Sequence, residues 1–261
     1  MKAAKPKISA RAVSKYFETA QGRGVALQNF DLEVREGEFV CIVGPSGCGK
    51  STFLRILAGL TPLSEGSLTI EPGAPGKPLN SVVFQEYAIF PWKTVLDNVA
   101  FGLQMRGQGK AQRYEVARQW LARVGLAKFE AYYPAQLSGG MKQRVAIARA
   151  LANDPEVLLM DEPLGALDAQ TKTVLQGELM RIWEEHRKTV VYVTHSIDEA
   201  VLLADRVVIM TAHPGTNKTE FRVDLPRPRT IETTATPEFA AMTGLVWRAL
   251  EDEVRKAMEA Q

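Results

Sequence analysis

The sequence predicts an α/β fold with a mainly parallel sheet, and three observations predict it. Short apolar runs alternate with amphipathic helical stretches along much of the chain. A glycine-rich loop, Gly44–Ser51, lies between one such run and one such helix. A second run, Val157–Met160, ends in two acids, and parallel sheets bind ligands at the C-terminal ends of their strands.

The elements follow in order. Phe30, Leu32 and Val34 alternate with polar residues, as in a half-buried strand. Phe39–Val43 is continuously apolar and bounded by Gly37 and Gly44, as in a strand buried on both faces. Ser51–Leu60 reads as a helix stopped by Gly59 and Pro62. Val82–Phe84 is a short strand. From Thr94 to about Asn153 the period turns helical, with Val95, Val99 and Leu103 four apart and Val116, Trp120 and Val124 likewise. This block looks like an insertion into the α/β core. Val157–Met160 is a strand. Asp168–Arg187 is an amphipathic helix with Leu175, Leu179, Ile182 and Trp183 on one face. Val190–Val193 and Val207–Met210 are strands around a helix at Ile197–Ala204, and right-handed crossovers join such strands into a parallel sheet. Thr230–Thr236 is polar and reads as loop. Thr236 and Pro237 then open a last helix, as N-cap and first residue. Its stripe of Phe239, Met242, Val246, Leu250, Val254 and Met258 packs either on its own domain or on a partner.

Composition narrows the class. The 261 residues fit one to two domains and can bury a large core without a disulfide or metal staple. Lys and Arg number 32 against 30 Asp and Glu, a net charge of +2, so nucleic-acid binding through bulk positive charge is not expected. Uncharged stretches such as the eleven residues Val207–Asn217 fall well below the roughly 20 a membrane span needs. The basic N-terminus lacks the apolar core of a secretory signal. Cys41 and Cys48 form neither a disulfide framework nor a zinc spacing, and a reducing cytoplasmic setting is the expectation.

Gly44, Pro45, Ser46, Gly47, Cys48, Gly49, Lys50 and Ser51 fit the phosphate-loop pattern G-x-x-x-x-G-K-[ST]. The glycines let amides turn inward, and the following helix N-terminus, at Ser51 and Thr52, adds positive potential. Lys50 suits the β- and γ-phosphates of a nucleotide and Ser51 suits Mg²⁺. Cys48 is either a small space-filler or a thiol that makes nucleotide binding sensitive to alkylation; Cys41 reads as inert core. Asp161 can hold Mg²⁺, and Glu162 can polarise an attacking water. His195, after the strand Thr189–Thr194, can reach a γ-phosphate. His186 and His213 have no such context.

Leu137-Ser138-Gly139-Gly140-Met141-Lys142-Gln143-Arg144 resembles the signature of ATP-binding cassette proteins, with Met141 where Gln is usual. The resemblance covers roughly residues 8–225. It implies a P-loop NTPase core with an N-terminal antiparallel β-subdomain and an inserted helical subdomain at about 88–154, residues 1–229 forming the ATPase domain and 230–261 a tail. It implies ATP and Mg²⁺ as ligands. Gln85 matches the Q-loop glutamine, a metal and catalytic residue. Asp168 matches the D-loop aspartate and His195 the switch histidine. Phe17 or its neighbour Tyr16 falls where the adenine-stacking aromatic stands. Ser138, Gly139 and Gly140 form a second anion site at a helix start, which the family closes over the γ-phosphate of a second subunit. A head-to-tail dimer follows, with itself or with a similar chain. Membrane permease subunits, and indirectly a solute-binding protein, are the further partners, and the cytoplasmic face of the cell membrane is the place. The aromatic stretch Tyr87–Trp92 would suit permease docking or ordinary packing. Phe90–Val99, His213-Pro214-Gly215 and Val223–Arg229 resemble importers of nitrate, sulfonates and taurine. An exporter, a regulatory module without turnover and a cassette protein acting on DNA or ribosomes are the competing classes.

Overall fold

The structure, a computed structural model, describes residues 5–19, 22–73 and 75–259. Contacts divide the chain into two compact units, Met1–Gly73 with Met180–Gln261, and Ala74–Leu179.

In the first unit, β1 (Ile8–Thr19) lies between β2 (Gly22–Val34) and β4 (Glu65–Ile70), antiparallel to both. Simple alternation hides β1, because its pairing slips between Ala10 and Lys15 and Ala12 takes a φ of 49°. Asp31 accepts the Ala12 amide at 2.8 Å and so holds the bulge. On β2, Phe30, Leu32 and Val34 face the core as their alternation predicts. β3 (Phe39–Val43) is buried throughout and runs parallel to β7 (Thr189–Thr194) and β8 (Arg206–Met210), giving the order β7-β3-β8. β9 (Asn217–Arg222) adds an antiparallel edge on β8 that its mostly exposed residues did not announce. α1 (Lys50–Leu57) follows β3, and Phe53 packs its ring 4.5 Å from that of Phe30. α6 (Ile197–Leu203) follows β7.

The segment after β9 closes α6. The Arg229 guanidinium donates to the Val201 and Ala204 carbonyls at 3.1 and 2.6 Å, and to Val223 O at 2.9 Å. The Val201 and Ala204 carbonyls are at the end of α6, where a helix cannot satisfy its own acceptors. Burial, then the nearby Arg227 charge, brings Arg229 down to about 10. Arg227 pairs with Asp205 at 2.9 Å and stacks 4.2 Å from the Trp183 ring. Residues Ile231–Ala235 form a 3-10 turn where the sequence reads as loop, its start tied by Thr233 Oγ1 accepting the Thr230 amide. α7 (Pro237–Glu259) begins at Thr236, whose hydroxyl accepts the Phe239 amide. Phe239, Val246 and Leu250 are buried against its own unit, while Met258 is exposed.

In the second unit, β5 (Asn80–Val83) runs parallel to β6 (Val157–Asp161). α2 (Val95–Met105), α3 (Lys110–Arg123) and α4 (Gly139–Ala152) make the helical block. Thr94 caps α2 on the Asp97 amide, and the wholly buried Asn98 bonds both backbone groups of Phe90 and the carbonyls of Lys93 and Thr94. That one side chain fixes the turn that leaves Trp92 exposed. α5 (Ala169–His186) is divided by sequence between the units and buries Leu175, Leu179, Ile182 and Trp183. Among the described residues, no helix is long and apolar enough to cross a membrane.

Candidate nucleotide site

The first unit carries the phosphate loop, Phe17 and His195. Gly44 and Pro45 are buried, and Ser46 and Gly47 are exposed at the loop's tip. Gly47 and Gly49 have φ of 77° and 103°, which L side chains rarely adopt. At Gly49 space is also short, since a Cβ would lie 2.7 Å from Ala26 O. The loop curls around Lys50, whose ammonium donates to Gly44 O at 2.8 Å and Pro45 O at 2.9 Å. Lys50 is buried, so its charge is held at the centre of the loop. No side chain caps the start of α1 at Gly49, and a helix start of that kind suits an anion.

Cys48 lines the loop from inside. It is 1 % exposed, and burial raises its thiol despite Lys50. Both features oppose the reactive-thiol alternative and favour the space-filler. The same spot accounts for Gly215, where a Cβ would overlap the Cys48 carbonyl oxygen. Gly215 N–H donates to Ala26 O and Gly215 O accepts from Gln28, so the His213-Pro214-Gly215 turn presses β2 and the loop together. A cavity of about 460 Å³ beside Ser46 and Gly47 is walled by Ala212, His213 and, from α7, Glu253 and Lys256. Buried Glu253 accepts from Ala212 N–H at 2.9 Å, Lys256 at 2.9 Å and Lys218 at 3.0 Å. Burial alone would raise its pKa; the three donors overcome this and hold it at about 2.

Tyr16 and Phe17 differ in availability. Tyr16 is covered by the Arg23 guanidinium 3.5 Å from its ring and donates to Glu65 at 3.1 Å. Phe17 is 44 % exposed, with Lys15 as a cationic neighbour. His195 is exposed at the end of β7, and the residues beside it are clamped. Thr194 donates to buried Glu199 at 2.6 Å and accepts the Ser196 amide at 3.0 Å, and Ser196 Oγ caps α6. Sequence reading missed Glu199, the buried one of two adjacent acids, Asp198 and Glu199, in the first turn of α6.

The second unit carries the remaining candidates. Asp161 closes β6 in the core, and Glu162 turns out with a φ of 44°. Gln85 is brought to this turn: a Cβ on Gly165 would lie 3.6 Å from Gln85 Nε2 and 3.7 Å from Glu162 Cβ. Ser138 caps α4 on the Met141 amide, so Gly139 and Gly140 open the helix as read from sequence. Asp168 accepts the Thr171 amide at the start of α5, and that bond lowers its pKa. Arg149, bound to the carbonyls of Tyr87 and Ala88 after Gln85, carries no sequence signal.

Residues 27–165 match the ABC transporter family. The chain belongs to this family. An uncharacterised ABC transporter ATP-binding protein of Methanocaldococcus jannaschii is 50 % identical over 98 % of this chain and 95 % of its own. The nitrate import ATP-binding protein of Synechocystis is 44 % identical, covering 87 % and 88 %. The aliphatic sulfonates import ATP-binding protein of Bacillus cereus is 46 % identical, covering 85 % and 88 %, and the bicarbonate transport ATP-binding protein of Synechococcus elongatus 48 %, covering 86 % and 82 %. The dimeric structure of an ABC transporter cassette superposes with a TM-score of 0.74 at 35 % identity, over 84 % of this chain and all of that one. A post-hydrolysis dimer of such a cassette bound to ADP and phosphate gives the same TM-score at 34 % identity. This ABC chain is therefore an ATP-binding ATPase with the expected α/β cassette fold.

Proposed function

We propose that this ABC ATPase drives import of a small oxyanion such as nitrate, taurine or an alkanesulfonate. The observation that carries the reading is the similarity, over more than four-fifths of the chain, to relatives named for nitrate, sulfonate and bicarbonate import. All three solutes are small oxyanions. Residues 1–229 act as the ATPase domain, with the helical subdomain at about 88–154.

In this reading Phe17 stacks on adenine, being the open ring of its pair. The amides of Gly47 to Thr52 wrap the β-phosphate, and Lys50 shifts its ammonium from loop carbonyls to phosphate oxygens. Ser51, Gln85 and Asp161 supply a hydroxyl, an amide oxygen and a carboxylate, a hard-oxygen set that fits Mg²⁺. When bound there, Mg²⁺ neutralises charge on the β- and γ-phosphate oxygens. Glu162 accepts a proton from the attacking water, and His195 donates to the γ-phosphate. Ser138, Gly139 and Gly140 close over the nucleotide of a second subunit, and Asp168 sits at that seam. The dimeric cassette relatives support two such chains head to tail. Permease subunits, a solute-binding protein upstream of them and peripheral placement at the cytoplasmic membrane face complete the assembly. The exposed Trp92 beside Phe90 offers the permease an aromatic contact.

Growth tests the solute. A deletion strain supplied with sulfate, taurine or a simple alkanesulfonate as sole sulfur source, or nitrate as sole nitrogen source, should fail selectively on one of the oxyanions other than sulfate. Wild type but not Glu162→Gln should restore growth. Normal growth of the deletion strain on every source would contradict the proposed solute class.

A further inference from the structure

The backbone that follows Gln85 is strained, and one side chain holds it. Tyr87 and Ala88 have φ of 57° and 48°, successive left-handed conformations in residues that are neither glycine nor asparagine. A Cβ in that region crowds its own backbone, so such a pair persists only where its surroundings impose it. Arg149, near the end of α4, supplies the constraint. Its Nη1 donates to Ala88 O at 2.7 Å and its Nη2 to Tyr87 O at 3.4 Å. The guanidinium also lies 5.7 Å from the Phe90 ring centroid, and burial lowers its pKa. The Tyr87 side chain reaches the other end of the same helix: a Cβ on Gly139 would lie 2.9 Å from Tyr87 Oη. Helix α4 therefore touches residues 87–88 from both ends, and Gly139 at its start belongs to the signature segment.

We propose that Arg149 is a positioning residue that fixes Gln85 relative to the signature helix by holding Tyr87 and Ala88 in their left-handed conformation. The proposal rests on the reading of Gln85 as a nucleotide-site residue. With the guanidinium gone, the pair relaxes toward right-handed conformations and the amide of Gln85, two residues upstream, loses its alignment. The phosphate contacts proposed for the loop come from residues 44–52, outside this segment. The effect therefore falls on kcat rather than on KM.

Steady-state MgATP hydrolysis by the full chain tests this, with kcat and KM measured separately and melting temperature recorded for each variant. Arg149→Met is expected to lower kcat by roughly 10- to 100-fold, the scale of an ångström-level misplacement, with KM changed less than about twofold. Arg149→Lys should recover part of that loss, because an ammonium lacks the planar fork that serves two carbonyls. Ala88→Gly should leave activity within about twofold in the wild-type background, and should restore at least about threefold in kcat to Arg149→Met, because glycine takes a positive φ without a Cβ clash. A purely structural arginine would lower the melting temperature and gain nothing specific in kcat from glycine at 88. If Arg149→Met does not fold, Arg149→Lys with and without Ala88→Gly gives the same reading. Impaired Gln85→Ala beside an Arg149 variant of wild-type kcat, or no rescue by Ala88→Gly, overturns the proposal and leaves the Gln85 assignment in place. Wild-type kcat in Gln85→Ala overturns that assignment instead.

Discussion

The phosphate loop and the segment after Gln85 both run through left-handed backbone, and they reach it in opposite ways. In the loop the positive φ values fall on Gly47 and Gly49, which adopt them without steric cost. After Gln85 they fall on Tyr87 and Ala88, which adopt them under constraint from Arg149, some 60 residues further along the chain. One shape is written in local sequence and the other is imposed from a distant helix. The difference decides how each site fails. The loop fails when a glycine or its lysine is changed, the other segment when a residue outside it is changed.

The largest effect should come from Lys50→Ala. Removing a buried ammonium at the centre of the loop should weaken nucleotide affinity on the order of 100-fold, read by titration with a fluorescent ATP analogue. Unchanged affinity would separate the loop from phosphate binding. Next, Gly49→Ala should lower stability by about 2–4 kcal/mol, since both the φ of 103° and the 2.7 Å approach to Ala26 O oppose a Cβ. Ala88→Gly is the mirror experiment and should raise stability by up to about 1 kcal/mol, or a few degrees in melting temperature. Equal destabilisation by both changes would erase the contrast between the two regions.

How much of this was legible follows the same division. The buried runs Phe39–Val43 and Val157–Met160, the onset of helix at Thr94 and the start of α7 at Thr236 and Pro237 are local in cause, and the structure has them where the pattern puts them. β1 was hidden because its bulges break the two-residue period, and β9 because an exposed edge strand on one partner needs no apolar alternation. In the candidate site, Ser138 as the cap of α4 and the curl of the loop around Lys50 were readable from residue type and spacing. Arg149 on Ala88 and Gly215 against Cys48 were not, because each pairs residues whose proximity only the fold creates.

Two smaller effects sharpen the picture on the loop's side. Glu253, at about 2 against an ordinary 4.5, is a depressed carboxylate, so its contribution is complete above pH 4.5 and is lost as pH falls toward 2. That contribution is on the order of 2–3 kcal/mol. Glu253→Gln should flatten the acid limb of stability over that range and raise amide exchange in α7, as followed by hydrogen–deuterium mass spectrometry; an unaltered acid limb would show that the Ala212, Lys218 and Lys256 contacts contribute nothing. The smallest effect concerns Cys48. Buried and with its thiol pushed up, it should react with iodoacetamide at neutral pH roughly tenfold or more slowly than free cysteine. Rapid modification with loss of ATP binding would restore the reactive-thiol alternative.

The most direct test of the whole account is the solution mass of Glu162→Gln at saturating MgATP, measured by light scattering. Without its proposed general base the chain should bind ATP, fail to hydrolyse it and accumulate as a head-to-tail pair, at about twice the 28.8 kDa of one chain. A mass that stays at 28.8 kDa under saturating nucleotide would contradict the sandwich of two chains on which the proposed mechanism depends.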